Sequence, residues 1–392
     1  MSHNIRIIPA RHSSLTPALL DVLIRITPQA ATEAPPVDLA LVVDTSGSMN
    51  GTALNQARDA IHALIPQFRP DDRVALVTYA TGPTMQLPLL PLGDGLPLRQ
   101  RLTHLRASGN TALHAGWQLG TGLLIGARHP ARLSSVLLLT DGKPNVGETR
   151  PTALAADLRH ALLQGISTSV VGSGLRYNET LLERLADAGD GHFHHAEQPH
   201  ELGHLLSTEL AHLHSTVGRQ ARLRVEGIEV IDVLNDLPRE GYDLLLPPLR
   251  AGGEMRLLLR VRAHAGQTAQ LSLTWTDLQG HAQRQDLTFT VLLAVGVTGP
   301  EHPEVVQRRA ELLAARAQRE LAGHLDGGDV ARALDTLTLS RRHLLRAQAG
   351  GADVGSDLEE LGELERQVRR GERQAASKKA RSQAYSKSTG RD

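Results

Sequence analysis

The sequence predicts an α/β protein: a doubly wound, mainly parallel sheet joined to an antiparallel β-sandwich and a C-terminal helical segment. Three observations carry this reading. Short, almost continuous apolar runs at 38–43, 73–79, 134–139 and 166–171 alternate with helix-period segments at about 52–67, 97–105, 112–126, 150–164 and 178–188. Buried parallel strands and their crossover helices have this texture. After residue 215 the helical period disappears until about 301, and apolar residues alternate singly with polar ones, as in half-buried antiparallel strands. Beyond 301 the helical period returns.

In chain order, residues 4–9 and 18–26 read as strands, the second with Leu20, Val22, Ile24 and Ile26 on one parity. A Pro-rich stretch ends at Pro35-Pro36, and the α/β segment follows, finishing with a short strand at 191–196 and a helix at about 199–214. The sandwich strands carry Leu257, Leu259 and Val261, then Leu271, Leu273 and Trp275, then Leu287, Phe289 and Val291. Turns are marked by Pro247-Pro248 and Gly252-Gly253,. In the helical segment Val305, Leu312, Leu313, Ala317, Leu321 and Leu325 form one face, Gly327-Gly328 breaks the run, and Asp329 can cap the next helix,. Ser356 with Glu359 has the spacing of a capping box,. The resulting domains are 1–36 (strands completing the sandwich), 37–214 (α/β), 215–298 (sandwich), 299–370 (helical) and 371–392, a disordered basic tail by composition,.

Composition removes several functions. The 392 residues hold 42 Lys+Arg and 42 Asp+Glu, so no net field draws the chain to nucleic acid or an anionic membrane,. Phe, Trp and Tyr number 3, 2 and 4, too few for a base-stacking platform,. With no Cys, thiolate nucleophiles, iron–sulfur clusters and zinc fingers are out,. Neither a secretory signal nor a run of 18 apolar residues is visible, so the expectation is a cytoplasmic protein,.

Chemistry concentrates in three loops at predicted strand or helix ends. Asp44-Thr45-Ser46-Gly47-Ser48 follows the first α/β strand, Ser108-Gly109-Asn110-Thr111 precedes the 112–126 helix, and Thr140-Asp141-Gly142 follows the strand 134–139. Open α/β sheets bind ligands outside the carboxyl ends of their strands. Every donor here is a hard oxygen, which suits Mg²⁺ or Mn²⁺ rather than zinc or copper. Hydroxyls add no charge, so two carboxylates leave such an ion electrophilic, and a partner's Asp or Glu is the natural further donor.

D-x-S-x-S after one strand, a distant Thr, and T-D-G after another resemble the metal-ion-dependent adhesion site of von Willebrand factor A domains, which have a Rossmann-like fold. The resemblance implies that Asp44, Ser46, Ser48, Thr111 and Asp141 hold the metal, the hydroxyls directly and the aspartates directly or through water. The second loop reads S-G-N-T where many members have G-G-T, keeping the Thr. DRVALVTYA, NTALHAGWQLG, LLLTDGKPNVGET and ERLADAGDGHFHHAE are similar to an intracellular bacterial branch of the family. The order of sandwich and helices resembles inter-α-inhibitor-like architecture. The implied function is non-enzymatic: metal-dependent binding of a protein ligand through its carboxylate. Two alternatives remain, a nucleoprotein scaffold using the basic tail or an adaptor of a separate AAA+ machine.

Other signals point less clearly. His200-Glu201-Leu202-Gly203-His204 matches H-E-x-x-H, but Leu202, Leu205, Leu206, Leu210 and Leu213 form the apolar stripe and both histidines point away from it. His192 and His194 share a parity and could chelate a softer metal, though they also read as ordinary edge-strand residues. Lys143, next to Asp141-Gly142, suits either the rim of a partner site or an ordinary loop. No G-x-x-x-x-G-K-[ST] occurs, so intrinsic ATPase activity has no support.

Overall fold

β1 (Asn4–Pro9) and β2 (Ala18–Thr27) open the chain as an antiparallel pair. The structure, a computed structural model, describes residues 3–10, 18–30, 35–129, 131–174, 176–196, 201–264, 266–290 and 301–389. The chain forms two compact units: Thr32–Thr216 with Leu278–Gly280, and Met1–Ala31 with Val217–Asp277 and His281–Asp392.

The first unit contains β3 (Val37–Asp44), α1 (Thr52–Leu64), β4 (Arg73–Tyr79), β5 (Pro83–Pro91), α2 (Leu96–His104) and α3 (Leu113–Gly126). It continues with β6 (Leu133–Thr140), α4 (Pro151–Leu163), β7 (Ile166–Ser173), α5 (Glu179–Ala188), β8 (Phe193–Ala196) and α6 (Glu201–Ser215). Its sheet has the order β5-β4-β3-β6-β7-β8, parallel throughout except for β5. Every residue of β3 and β6 is buried, which explains the continuous apolar runs at 39–43 and 136–139. After β3 the chain fills one side of the sheet with β4 and β5, then crosses to β6, β7 and β8 on the other. The carboxyl ends of β3 and β6 therefore flank the topological switch point.

β5 has no counterpart in the sequence reading. Pro83, Pro88 and Pro91 look like turn residues, yet proline is tolerated in an edge strand, and β5 is one of the sheet's two edges.

The second unit adds β9 (Thr216–Glu226), β10 (Glu229–Val233), β11 (Arg239–Glu240), β12 (Asp243–Leu245), β13 (Leu249–Arg250), β14 (Met255–Ala263), β15 (Thr268–Thr276) and β16 (Ala282–Thr290). β2 pairs with β14 over its length, from Ala18 opposite Ala263 to Ile26 opposite Met255, giving the sheet β1-β2-β14-β10. The facing sheet runs β11-β12-β9-β15-β16, with β13 on β9. Val22, Ile24, Leu257, Leu259, Leu223, Leu271, Leu273 and Trp275 fill the space between them. Leu23 and Leu258, on the opposite parity, pack against Val305 and Leu312 of α7 (Pro303–Asp326). The central strands of this sheet therefore also bury one leucine each on their second face. Val291 lies outside the described residues.

α7 is followed by α8 (Val330–Ala349), α9 (Gly355–Arg369) and α10 (Arg373–Thr389). Asp329 caps α8 by accepting from Arg332 N at 3.0 Å. Three expectations are corrected here. Leu313 is exposed at 40% while Ala310, Ala314 and Ala322 are buried, because α7 lies between several neighbours and buries more than one stripe. Ser356 is not a cap: α9 begins at Gly355 with Val354 at the N-cap and no side-chain cap bond. Gln307 pins the preceding backbone, donating to Asp353 O at 2.5 Å and accepting from Asp353 N at 2.6 Å. Finally, residues 373–389 are a helix rather than a disordered tail. Ala376, Ala380 and Ala384 recur every fourth residue and are all fully buried, so a stripe of methyl groups lets α10 lie close against its neighbours. Its charges meet carboxylates of the same unit: Lys387 Nζ lies 2.6 Å from Asp357 and 2.5 Å from Glu360, and Arg381 2.6 Å from Asp326.

No helix among the described residues is long and apolar enough to cross a membrane.

Candidate functional site

The three oxygen-bearing loops meet at the switch point. Asp44, the last residue of β3, is fully buried. Its Oδ1 accepts from Ser46 N at 2.8 Å and its Oδ2 from Thr140 Oγ1 at 2.8 Å. Ser46 Oγ lies 3.1 Å from Ser48 Oγ, and Ser48 Oγ donates to Asp141 Oδ1 at 2.6 Å. The first and third loops are thus joined side chain to side chain.

Thr111 comes in with the second loop. Ser108 N donates to Thr45 O at 2.8 Å and Gly47 N to Gly109 O at 3.0 Å, tying the first two loops by backbone. Gly109 takes φ of +76°, a conformation glycine adopts without the Cβ penalty, and this turn delivers Thr111 to the start of α3. Asn145 then clamps Thr111 from both sides, its Oδ1 accepting from Thr111 N at 2.8 Å and its N donating to Thr111 O at 3.1 Å. A methyl built on Gly142 would lie 3.3 Å from Ser48 Oγ and 3.7 Å from Thr111 Oγ1, so both hydroxyls sit over the backbone of the third loop.

Close packing below holds this geometry. A Cβ on Gly116 would come within 2.5 Å of the Tyr79 ring, so α3 can press onto β4 only with glycine there. Tyr79 is itself fully buried and donates its hydroxyl to Leu139 O at 3.2 Å.

Both carboxyls are shifted upward. Burial pushes the Asp44 carboxyl up, against hydrogen bonds from Ser46 and Thr140, and the charge of Asp141 pushes it further. Burial also raises Asp141, although Ser48 and the charge of Arg176 pull the other way. Lys143 is exposed at the surface.

The five residues singled out by sequence, Asp44, Ser46, Ser48, Thr111 and Asp141, thus lie on three loops gathered at one place. Sequence reasoning missed Thr140 and Asn145 as their supports; the one visible signal was their position beside Asp141 in a loop already flagged. His204 is exposed on α6 as expected, while His200 lies outside the described residues.

Residues 38–208 match the profile of the von Willebrand factor type A domain family. The chain is 28% identical over 210 residues to protein YfbK of Escherichia coli, covering 53% of this chain and 36% of that protein. It is 26% identical over 265 residues to inter-alpha-trypsin inhibitor heavy chain H3 of Rattus norvegicus, covering 65% of this chain and 28% of that protein. The chain thus spans about a third of the length of these relatives. Among solved structures, a von Willebrand factor type A protein from Catenulispora acidiphila superposes with a TM-score of 0.72 at 17% identity, covering 92% of this chain and 88% of that one. The ArnB paralog VWA2 from Sulfolobus acidocaldarius gives 0.63 at 15% identity, covering 99% of each chain. At these identities the likeness is one of fold. The chain carries a von Willebrand factor type A domain, a module that typically works in metal-dependent interaction.

Proposed function

We propose that the α/β unit is a non-enzymatic interaction module that binds Mg²⁺ or Mn²⁺ through Asp44, Ser46, Ser48, Thr111 and Asp141. Through that metal it captures an Asp or Glu carboxylate of a partner protein. The observation that supports this most is the gathering of two buried carboxylates and three hydroxyls from three separate loops. The donor set fits such an ion: all its atoms are hard oxygens, and both carboxyls are pushed up by burial, a cost that a divalent cation would offset. A bound cation would supply an electrophilic position for one more anionic oxygen. The chain's own part is to orient: Thr140 and the Ser46 backbone hold Asp44, Ser48 holds Asp141, and Asn145 holds Thr111.

Calorimetric titration of Mg²⁺ and Mn²⁺ into chelator-stripped protein tests the reading. One saturable site is expected, absent in Asp44→Ala. Partner capture on immobilised protein should then require metal and fall away with chelator or in the variant. Binding of the same stoichiometry in Asp44→Ala would overturn the assignment.

A further inference from the structure

We infer that His192, Glu209 and His212, with His194 at the rim, form a second metal site, built for a borderline cation such as Zn²⁺. It lies within the α/β unit but shares no donor with the loop oxygens. His192 immediately precedes β8 and His194 lies on it, two residues on and therefore on the same face. Glu209 and His212 are spaced i, i+3 on α6 and so share one face of that helix.

The donors converge on one point. His192, Glu209 and His212 each offer one ligand atom, all within 4.8 Å of one another. From Glu209 Oε2, His192 Nδ1 is at 2.9 Å, His194 Nε2 at 3.1 Å and His212 Nδ1 at 3.9 Å. Tetrahedral zinc with bonds near 2.0–2.1 Å sets its ligands about 3.3 Å apart, and these separations bracket that value. Three imidazole nitrogens and one carboxylate oxygen make up the donor set of a four-coordinate zinc centre,.

The surroundings are those of a prepared site. Glu209 and His192 are 2% and 4% exposed, whereas the side chains of His194 and His212 keep 13% and 16%, so the cluster is closed behind and open along one edge. Ser169 Oγ donates to Glu209 Oε1 at 2.5 Å and accepts from His192 N at 3.0 Å. One hydroxyl thereby orients the carboxylate and fixes the backbone of a histidine ligand, the outer-shell support that metal sites use. The rings of His192 and His212 have centroids 4.8 Å apart, and those of His192 and His194 5.6 Å. Imidazole with a carboxylate suits Zn²⁺, Co²⁺, Ni²⁺ or Cu²⁺, where the loop site suits Mg²⁺ or Mn²⁺. A metal here would staple α6 to the edge strand of the sheet.

The test is a Co²⁺ titration of chelator-stripped, full-length Asp44→Ala protein, in which the loop oxygens are disabled, followed by Zn²⁺. The expected result is a visible absorption band of four-coordinate Co²⁺ that saturates at one equivalent and is displaced by one equivalent of Zn²⁺. His212→Ala, at the open edge, should abolish the band while circular dichroism shows the fold intact. Ser169→Ala keeps every ligand and should weaken Zn²⁺ by about tenfold to a hundredfold. The same titration of the unaltered protein in excess Mg²⁺ gives an independent reading should Asp44→Ala fold poorly. No band in folded protein, or an unchanged band in His212→Ala, overturns the proposal.

Discussion

Asp72 shows how one buried carboxylate can tie distant segments of the α/β unit together. It is fully buried; its Oδ1 accepts from Val37 N at 2.8 Å, and its Oδ2 from Arg69 N and His214 Nε2, each at 2.8 Å. Burial alone would raise its carboxyl, but the bonds from His214, Arg69 and Val37 outweigh it and hold the group below its ordinary value. The unfolded chain therefore binds more protons in acid, so the stability Asp72 contributes is complete above the unfolded value of 3.8 and is lost as pH falls through the lowered folded one,. Asp72→Asn keeps the volume but turns one acceptor into a donor facing another N–H. It should cost about 1–3 kcal/mol at neutral pH, with the gap between variant and parent shrinking toward about pH 3. Calorimetric melting at both pH values measures this; an equal gap at both would deny the carboxylate its part. At this scale sequence and structure diverge by residue type. The loop oxygens were legible because Asp44, Ser46 and Ser48 fall within five residues on a predicted strand end. Glu209 was passed over although it lies seven residues after Leu202, within the apolar stripe, where a carboxylate needs buried partners. Most of those partners, His192, His194 and Ser169, lie outside the helix, where its periodicity does not see them. Once His192, His194 and His212 are in place, they overcome the effect of burial and hold Glu209 well below the carboxylate range.

At the scale of elements, α3 is placed by absences as much as by contacts. Gly116 faces Tyr79, with a virtual Cβ only 2.5 Å from the ring, whereas Gly122 on the same helix has nothing within 4 Å. Replacing a helix-interior glycine by alanine gains about 1 kcal/mol where space is free. Overpacking a closed interior costs about 1–3 kcal/mol, and here the obstacle is a fully buried ring. Gly122→Ala is therefore expected to stabilise the unit modestly and leave metal binding alone. Gly116→Ala should destabilise it on balance and, by lifting the start of α3, weaken Mg²⁺ through Thr111. Melting and titration of the pair check this; equal behaviour of both variants would show that α3 is not seated on Tyr79. The strands and helices of this unit were legible where burial is two-sided or periodicity strong. β5 was not, because its three prolines mimic turns and only the sheet order reveals an edge. α10 was not, because a stripe of alanines carries almost no hydropathy signal, although it permits close helix packing.

At the scale of the whole chain, the five proposed metal-binding oxygens all belong to the unit Thr32–Thr216, while α10 belongs to the sandwich–helix unit. The class of the chain was readable from the order of textures, because α/β alternation, single alternation and helical period occupy separate stretches. The character of the C-terminus was not, since its stability depends on partners far along the chain. Asp326, 55 residues before Arg381, receives that guanidinium at 2.6 Å, and Ser377 donates to the same carboxylate at 2.7 Å. A basic stretch whose charges are taken up in this way offers little to phosphate, so removing salt should not bring nucleic acid onto the chain through α10. Ala380 probes the point directly. It is fully buried beside Leu321, Ala322 and Leu364 in the helical core, and Ala380→Glu forces both volume and a charge into that seam. The loss should be at least about 2 kcal/mol, read as a lower melting transition for the sandwich–helix unit. Mg²⁺ binding per folded α/β unit should stay within about twofold, a difference of about 0.4 kcal/mol. Titrating Mg²⁺ into the variant below its first transition checks this. Retained affinity means that the adhesion-type loops are organised by their own unit; a matching fall in affinity overturns that reading.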